Sequence, residues 1–162
     1  QMLSAQLNLL DSHDVSRFLT LCGGDRARME QAVLFQMSFP GMPCVFYGDE
    51  KGLEGASENE YRRPMDFGRP NGLEEAYRRM IALRKEHPAL RHGDFQTVLA
   101  QGTLFLCRRI AAEESLLLCW NAGGEALPVP GLPKDALPLL QKGWKGGLLE
   151  GRGYAVFQIE KS

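Results

Sequence analysis

Two carboxylates flank a Ser-His pair at the end of a short apolar run. Residues 7–10 are Leu-Asn-Leu-Leu, and Asp11, Ser12, His13 and Asp14 follow directly. A buried strand that turns polar at its carboxyl end is typical of parallel strands in α/β proteins, where such side chains face the ligand crevice. A pair of His and Asp in that position can do catalytic work. The same residues also fit a capped turn between a strand and a helix.

A helix is predicted behind this strand. Asp25 follows two glycines and is an N-cap residue by type. The helix starts at Arg26 and ends near Phe39, because Pro40 and Gly41 do not continue it. The residues at helical spacing on its predicted inner face are Met29, Val33, Leu34, Met37 and Ser38, with Ala32 and Phe35 beside them.

A second apolar run also ends in acids. Residues 42–47 are Met-Pro-Cys-Val-Phe-Tyr, and Asp49 and Glu50 follow after one glycine. Two strands joined by one helix are parallel, so their carboxyl ends lie at the same edge of the sheet. The side chains expected to converge at this edge are His13, Asp14, Asp49 and Glu50. Arg17 is expected to pair with a nearby acid such as Asp11.

A long loop and a second helix follow. Residues 51–71 contain several glycines and prolines, and loops longer than about 12 to 15 residues are usually functional or disordered. The side chains of residues 61–67 favour an ordered loop. The next helix is predicted from Leu73 to Glu86 and ends at His87, since a residue before proline disfavours helix. Its predicted inner face comprises Leu73, Ala76, Tyr77, Met80, Ile81, Leu83 and Arg84.

The pattern then changes to short β-like runs. These runs are residues 96–99, 103–110, 115–120 and 153–159, with a hairpin turn predicted at residues 111–114. The proline-rich residues 127–133 must form a loop or an edge. The sequence therefore predicts an α/β region over residues 1–92, followed by an all-β domain over residues 93–162.

The four cysteines are widely spaced and have no histidine at ligand spacing, which predicts no metal site. Reduced, mostly buried thiols in a cytoplasmic protein are the expectation. With the hairpin turn at residues 111–114, Cys107 lies opposite Leu118 and Cys119 opposite Leu106. The two thiols then point to opposite faces of the sheet, which argues against a disulfide between them.

Composition excludes several classes of protein. The chain has 162 residues, of which 44% are hydrophobic and 24% charged, and its formal net charge is −1. No basic excess points to nucleic acid or to an anionic membrane. No apolar stretch approaches the roughly 20 residues of a membrane helix, and the first residues do not resemble a signal peptide.

Several motifs, in order, resemble the α-amylase family (glycoside hydrolase family 13). Residues 9–14 and 41–50 resemble its last two barrel strands. Residues 58–65 look like the loop after the eighth strand in neopullulanases, cyclomaltodextrinases and maltogenic amylases, and residues 83–90 resemble the end of the eighth barrel helix. The resemblance implies the last two β/α units of a (β/α)8 TIM barrel, followed by a C-terminal antiparallel β-sandwich over residues 93–162.

The resemblance also implies a function for individual residues. Family hydrolases retain the anomeric configuration and work at the carboxyl rim of the barrel. Asp14 matches the third catalytic carboxylate, a transition-state stabiliser that hydrogen-bonds ring hydroxyls of the sugar being cleaved. His13 matches a histidine that binds the same sugar. Arg62 matches an arginine that contacts a neighbouring glucose, and Glu58 stands where related enzymes usually have its aspartate partner.

The family pattern is incomplete in this chain. Tyr61 replaces the cysteine common before the arginine, and Ser12 stands where much of the family has asparagine. The nucleophile and the acid/base belong to the fourth and fifth barrel strands, and no such pair occurs here. Because a two-stranded parallel sheet exposes both faces, we expect a C-terminal fragment that is inactive alone and self-associates.

Three functions fit these observations. The first is an α-glucan hydrolase acting on maltodextrin, cyclodextrin or pullulan, with no cofactor in this chain and calcium left to other parts of the barrel. The second is a non-catalytic module that binds glucan or docks to a partner. The third is a transglycosidase on the same barrel. Arg62 has a structural alternative as well, a surface ion pair with Glu58 or Glu60.

Overall fold

The computed structural model describes residues 5–68 and 72–160. The chain divides into two compact units, Gln1–Arg84 and Lys85–Ser162. The helices are α1 (Phe18–Leu21), α2 (Arg26–Ser38), α3 (Glu58–Tyr61), α4 (Leu73–Glu86) and α5 (Pro88–His92). The strands are β1 (Leu7–Asn8), β2 (Met42–Pro43), β3 (Asp94–Gln101), β4 (Leu104–Ile110), β5 (Ser115–Asn121), β6 (Leu127–Pro128), β7 (Leu140–Lys145) and β8 (Leu148–Ile159). The domain boundary near residue 92 stays a prediction.

The two strands of the first unit are parallel, as predicted. The Met42 amide donates to the Gln6 carbonyl, and the Cys44 amide donates to the Asn8 carbonyl, both at 2.8 Å. Each regular strand is shorter than its apolar run. Leu7 is 54% exposed, which agrees with the expectation that a two-stranded parallel sheet exposes its faces.

Helix α2 confirms the prediction for residues 26–38. The Asp25 carboxylate accepts hydrogen bonds from the amides of Ala27 at 3.0 Å and Arg28 at 3.2 Å, so the helix has the expected N-cap. Five of the predicted inner-face residues are buried: Met29, Val33, Leu34, Met37 and Ser38. The helix ends at Ser38, because Phe39 already has extended backbone before the proline.

Helix α2 also ties the two strands together through a polar side chain. The buried Gln36 donates from Nε2 to the carbonyls of Asn8 at 3.0 Å and Cys44 at 2.9 Å. One amide group therefore satisfies the Cys44 carbonyl and gives the Asn8 carbonyl, which already accepts from Cys44, a second hydrogen bond.

Helix α4 has the predicted bounds and buries Leu73, Tyr77, Met80 and Leu83. Arg84, on its predicted inner face, donates to the Met37 carbonyl at 2.6 Å and to the Gly41 carbonyl at 2.7 Å. This guanidinium group therefore satisfies one carbonyl in the last turn of α2 and one just beyond that helix.

The loop after β2 is ordered over its described part and contains the short helix α3. The Glu60 carboxylate accepts from the amides of Ala56 at 2.8 Å and Ser57 at 3.0 Å. These backbone hydrogen bonds, with that to Ser57 foremost, lower the pKa of Glu60. The last residues of the predicted loop, 69–71, lie outside the described residues.

The second unit is an antiparallel sheet with strand order β3-β4-β5-β8-β6, in which β7 also pairs with β8. The predicted hairpin is confirmed, because the Ala111 amide donates to the Glu114 carbonyl at 2.9 Å. Its register pairs Cys107 with Leu118, so Cys107 and Cys119 point to opposite faces as expected. Burial raises the pKa of both thiols to about 12. Separation into two sandwich layers stays a prediction.

Residues from several strands form the core of this sheet. Its buried members are Leu104, Leu106, Leu117, Cys119, Val129, Leu149, Ala155 and Phe157. Trp120 is also buried. Trp144 lies edge-on to Phe157 at 5.0 Å between ring centroids and donates from Nε1 to the Ala136 carbonyl at 3.0 Å. Within the part of the chain that the structure describes, no helix is long and apolar enough to cross a bilayer.

Candidate active site

His13 and Asp14 lie on the surface at the turn that follows β1. Their side chains are 62% and 66% exposed, and His13 Nε2 is 3.3 Å from Asp14 Oδ1. The Asp14 amide donates to Ser12 Oγ at 3.2 Å, which fixes the turn locally. Asp14 does not cap the next helix; Asp11 does, accepting from the Phe18 amide at 2.6 Å. The alternative of a capped turn is therefore wrong for Asp14.

Arg62 comes from the loop after β2 and joins this pair. Its Nε donates to the His13 carbonyl at 2.9 Å, and its Nη2 donates to Asp14 Oδ1 at 3.3 Å. Its third nitrogen, Nη1, is 3.2 Å from Glu58 Oε1, one helical turn earlier. The structure thus brings together all four predicted site residues, although Arg62 is 48 residues from Asp14 in sequence.

The chemistry of this group suits a neutral ligand rich in hydroxyls. Two carboxylates and one guanidinium leave one negative charge that can accept hydrogen bonds from hydroxyls, and His13 adds a donor or an acceptor according to its tautomer. Because the pairs are exposed to water, their attraction contributes little to folding stability. The same exposure leaves the unused lone pairs of Asp14 and Glu58 open to a ligand.

The two acids after β2 do not join this group, so their predicted convergence with His13 and Asp14 is wrong. Asp49 is buried and accepts from Arg17 Nη1 at 3.1 Å. Glu50 turns back and accepts from the Gly48 amide at 3.0 Å. The hydrogen-bonded acid partner of Arg17 is therefore Asp49 rather than Asp11. Residues that follow a strand and a glycine can face the interior as easily as the surface. The sequence pattern did not distinguish these two orientations for Asp49 and Glu50.

Sequence reasoning also missed a tyrosine that holds the loop. Tyr47 donates from its hydroxyl to the Arg63 carbonyl at 3.0 Å, beside Arg62. The signal that could have indicated this role is a tyrosine at the end of a strand, where its ring can pack while its hydroxyl forms a hydrogen bond. Among the described residues, no group of three or more His, Cys, Asp or Glu side chains is arranged to hold a metal ion.

A parallel strand pair with a carboxylate, a histidine and a loop arginine at its carboxyl end is typical of α/β enzymes that work at strand ends. The comparisons are more specific. Residues 1–69 match the family model for the alpha amylase catalytic domain. The chain is therefore related to the α-amylase family, as its motifs predicted.

Individual relatives agree with the family match. A cyclomaltodextrinase of Geobacillus thermopakistaniensis is 36% identical over 161 residues, which are 96% of this chain and 26% of the relative. Neopullulanase 2 of Thermoactinomyces vulgaris is 41% identical over 123 residues, or 73% of this chain and 21% of that protein. A debranching enzyme of Nostoc punctiforme, solved after soaking with acarbose, is 34% identical with a TM-score of 0.81, over 96% of this chain and 34% of that one. The chain thus spans about a quarter of these curated relatives' length.

Proposed function

We propose that this chain is the C-terminal part of a retaining α-glucan hydrolase that cleaves α-1,4 glucosidic bonds, with α-1,6 bonds as a second linkage. The exposed group of His13, Asp14, Glu58 and Arg62 at one strand end carries the proposal. The names of the relatives, cyclomaltodextrinase and neopullulanase, support an α-glucan substrate.

In this proposal Asp14 stabilises the transition state. As the glycosidic bond breaks, the sugar ring flattens and positive charge develops on it. Hydrogen bonds from ring hydroxyls to the Asp14 carboxylate strengthen at that moment, so they lower the barrier more than they tighten ground-state binding. His13, 3.3 Å away, hydrogen-bonds a hydroxyl of the same ring and limits how it can sit.

Arg62 and Glu58 hold the neighbouring glucose. The Arg62 nitrogens that face Glu58 and Asp14 lie on the exposed side of the site, within reach of a second sugar. The nucleophile and the acid/base, about 5 to 5.5 Å apart in retaining enzymes, belong to a part of the protein that precedes these residues. Residues 5–68 and 72–84 then form the last two β/α units of its barrel.

The test compares the complete protein with the 162-residue chain on maltodextrin, cyclic dextrins and pullulan. We expect the complete protein to release reducing sugar of retained configuration from at least one of them, and the chain alone to release none. Transfer of glucosyl units to an acceptor without net hydrolysis would favour a transglycosidase. Binding without turnover by the complete protein would favour a glucan-binding module and contradict the proposal.

The proposal also predicts that the isolated chain self-associates. Leu7 and Met42 on the paired strands are 54% and 57% exposed, beside an open groove of about 340 Å³ that includes Phe35 and Phe39. Apolar surface of this kind is buried when a barrel closes. Light scattering at increasing concentration should show association of the chain, reduced in a Leu7→Ser/Met42→Ser variant. A monomer at all concentrations would contradict this part of the proposal.

A further inference from the structure

A buried group of three charged side chains lies within the first unit, close in sequence to the proposed active site. Asp11, Arg17 and Asp49 are each at most 3% exposed. Arg17 Nη1 donates to Asp49 Oδ1 at 3.1 Å and to the Tyr47 carbonyl at 2.7 Å. We call these three residues the buried ionic cluster.

Aromatic rings enclose the guanidinium group of this cluster. Its central carbon lies 4.1 Å from the centroid of Phe46 and 4.7 Å from that of Tyr47. Cation–π attraction offsets part of the cost of burying the charge. Nε and Nη2 of Arg17 are nevertheless buried without a hydrogen-bond partner among the described residues. Such a cluster is a weak source of net stability, because desolvation cancels most of its attraction.

The backbone around the cluster shows what it fixes. The Asp11 carboxylate accepts from the Phe18 amide at 2.6 Å, and the Arg17 amide donates to the Gly55 carbonyl at 2.9 Å. Residues 12–16 therefore form a short loop whose two ends are bound to each other and to the chain beyond β2. Asp14 is the middle residue of that loop.

The negative charge of Asp11 acts on the carboxyl group of Asp49. Burial, with the charge of Asp11 second, raises the pKa of Asp49 to about 8, so at neutral pH the pair retains one proton. Asp11 Oδ1 is buried and accepts no hydrogen bond from an N–H group or hydroxyl of the described residues. A proton on Asp49 supplies the missing donor, and the cluster is then electrically neutral.

We propose that the buried ionic cluster positions Asp14: Arg17 and Asp11 fix the two ends of the loop at residues 12–16, Asp49 holds the guanidinium group of Arg17, and the carboxylate of Asp14 is thereby held in place. The inference rests on the proposed function of Asp14 as transition-state stabiliser. Arg17, Asp11 and Asp49 are positioning residues, since all three are shielded from the surface on which substrate would lie. Displacement of a catalytic group by about 1 Å costs as much as 100-fold in rate.

The test is a mutant cycle in the complete protein, with kcat and KM measured on an activated maltooligosaccharide. Asp49→Ala removes the acceptor of Arg17, and we expect kcat to fall at least about tenfold with KM within about twofold of wild type. Asp49→Asn should keep kcat near the wild-type value. Its amide oxygen accepts from Arg17, and its NH₂ takes the place of the proton on Asp49 as a donor to Asp11. Asp135→Asn, an exposed change in the second unit, is the control.

Combination with Asp14→Asn separates positioning from general damage. If the cluster acts through Asp14, Asp49→Ala should cost no further kcat once Asp14 is already Asn. An equal loss in both backgrounds, or a loss that appears only in KM, would overturn the inference. If Asp49→Ala does not fold, Arg17→Lys, which keeps the charge but not the planar fork, replaces it with the same expectation. Should Asp14→Asn itself leave turnover nearly unchanged, the proposed function fails instead.

Discussion

Asp11 and Asp14 lie three residues apart, yet they occupy opposite environments. Asp14 is 66% exposed, and the partners of its carboxylate among the described residues, His13 and Arg62, are ones that a ligand can replace. Asp11 is 2% exposed and caps α1, and burial raises its pKa. Substrate can reach the Asp14 carboxylate, whereas the Asp11 carboxylate is buried and hydrogen-bonded within the protein.

The difference shows how one short turn can hold a reactive group on the surface and still be rigid. An exposed ion pair such as that of Asp14 with Arg62 is worth little in water and does not fix a loop by itself. The loop is instead fixed by hydrogen bonds and ion pairs that are shielded from water, and the buried ionic cluster provides these interactions. We therefore expect changes at Asp14 to affect turnover and changes in the cluster to affect stability as well.

The largest expected effect is on turnover. Asp14→Asn in the complete protein should reduce kcat by about 10³-fold, equivalent to about 4 kcal/mol of transition-state stabilisation. The urea midpoint of unfolding should not change, because this side chain is exposed. Asp135→Asn serves as the matched control. A reduction of kcat below about tenfold would rule out the assigned role.

The next effect is on stability. Arg17→Met in the complete protein leaves Asp11 and Asp49 buried without their counter-charge, and breaking a buried pair in this way costs about 3 kcal/mol or more. Urea denaturation should show the loss as a lower midpoint. Arg78→Met is the control, since Arg78 is exposed and lies 3.7 Å from Glu75. If both variants unfold at the wild-type midpoint, the cluster does not hold this part of the fold.

A further effect on stability concerns pH. The pKa of Asp49 is raised from its ordinary value of 3.8 to about 8, so the folded protein keeps a proton that the unfolded chain has lost. Stability from this group is complete below pH 4 and declines as the pH rises to about 8. The charges of Asp49, Asp11 and Glu50 also act on the buried Tyr77, whose pKa is raised mainly by burial.

Urea midpoints between pH 5 and pH 9 measure this dependence. The wild-type midpoint should fall as the pH rises, and Asp49→Asn should fall less, because the amide has no proton to lose in this range. Tyr77 stays neutral throughout, so Tyr77→Phe should keep the wild-type slope. Identical slopes for wild type and Asp49→Asn would contradict a proton held on Asp49.

The smallest effect is expected at the edge of the site. Arg62→Met should lower kcat/KM by about tenfold, or about 1.4 kcal/mol, through loss of one charged hydrogen-bond donor to a neighbouring glucose. Arg63→Met, one residue further on, is the control. An unchanged kcat/KM in Arg62→Met would leave Arg62 as a partner of Glu58 and Asp14 only.

Local signals predicted much of the fold. Asp25 as N-cap, the apolar spacing of residues 29–37 and the proline at 40 define α2 correctly. The turn at residues 111–114 fixed the register of β4 and β5, and so the opposite orientation of Cys107 and Cys119. These elements are set by neighbours in sequence, which is why sequence patterns describe them well.

Elements that depend on distant partners were missed. Strand β7 contains two lysines and Gly143, which has a positive φ of 75° beside a break in register, and its strand character comes only from pairing with β8. The partner of Arg17 lies 32 residues away at Asp49. Helix α3 was missed although its signal is local. Ser57 and Glu60 have the spacing of a capping box, which the sequence alone could have predicted.

A crystal structure of the complete protein with a bound maltooligosaccharide tests the central claim most directly. An inactive variant that leaves residues 5–68 unchanged should be used, so that the proposed site is native. We predict a glucose ring with two hydroxyls within hydrogen-bond distance of the Asp14 carboxylate and the next glucose beside Arg62. A glucan bound elsewhere, with Asp14 covered by protein, would contradict the account.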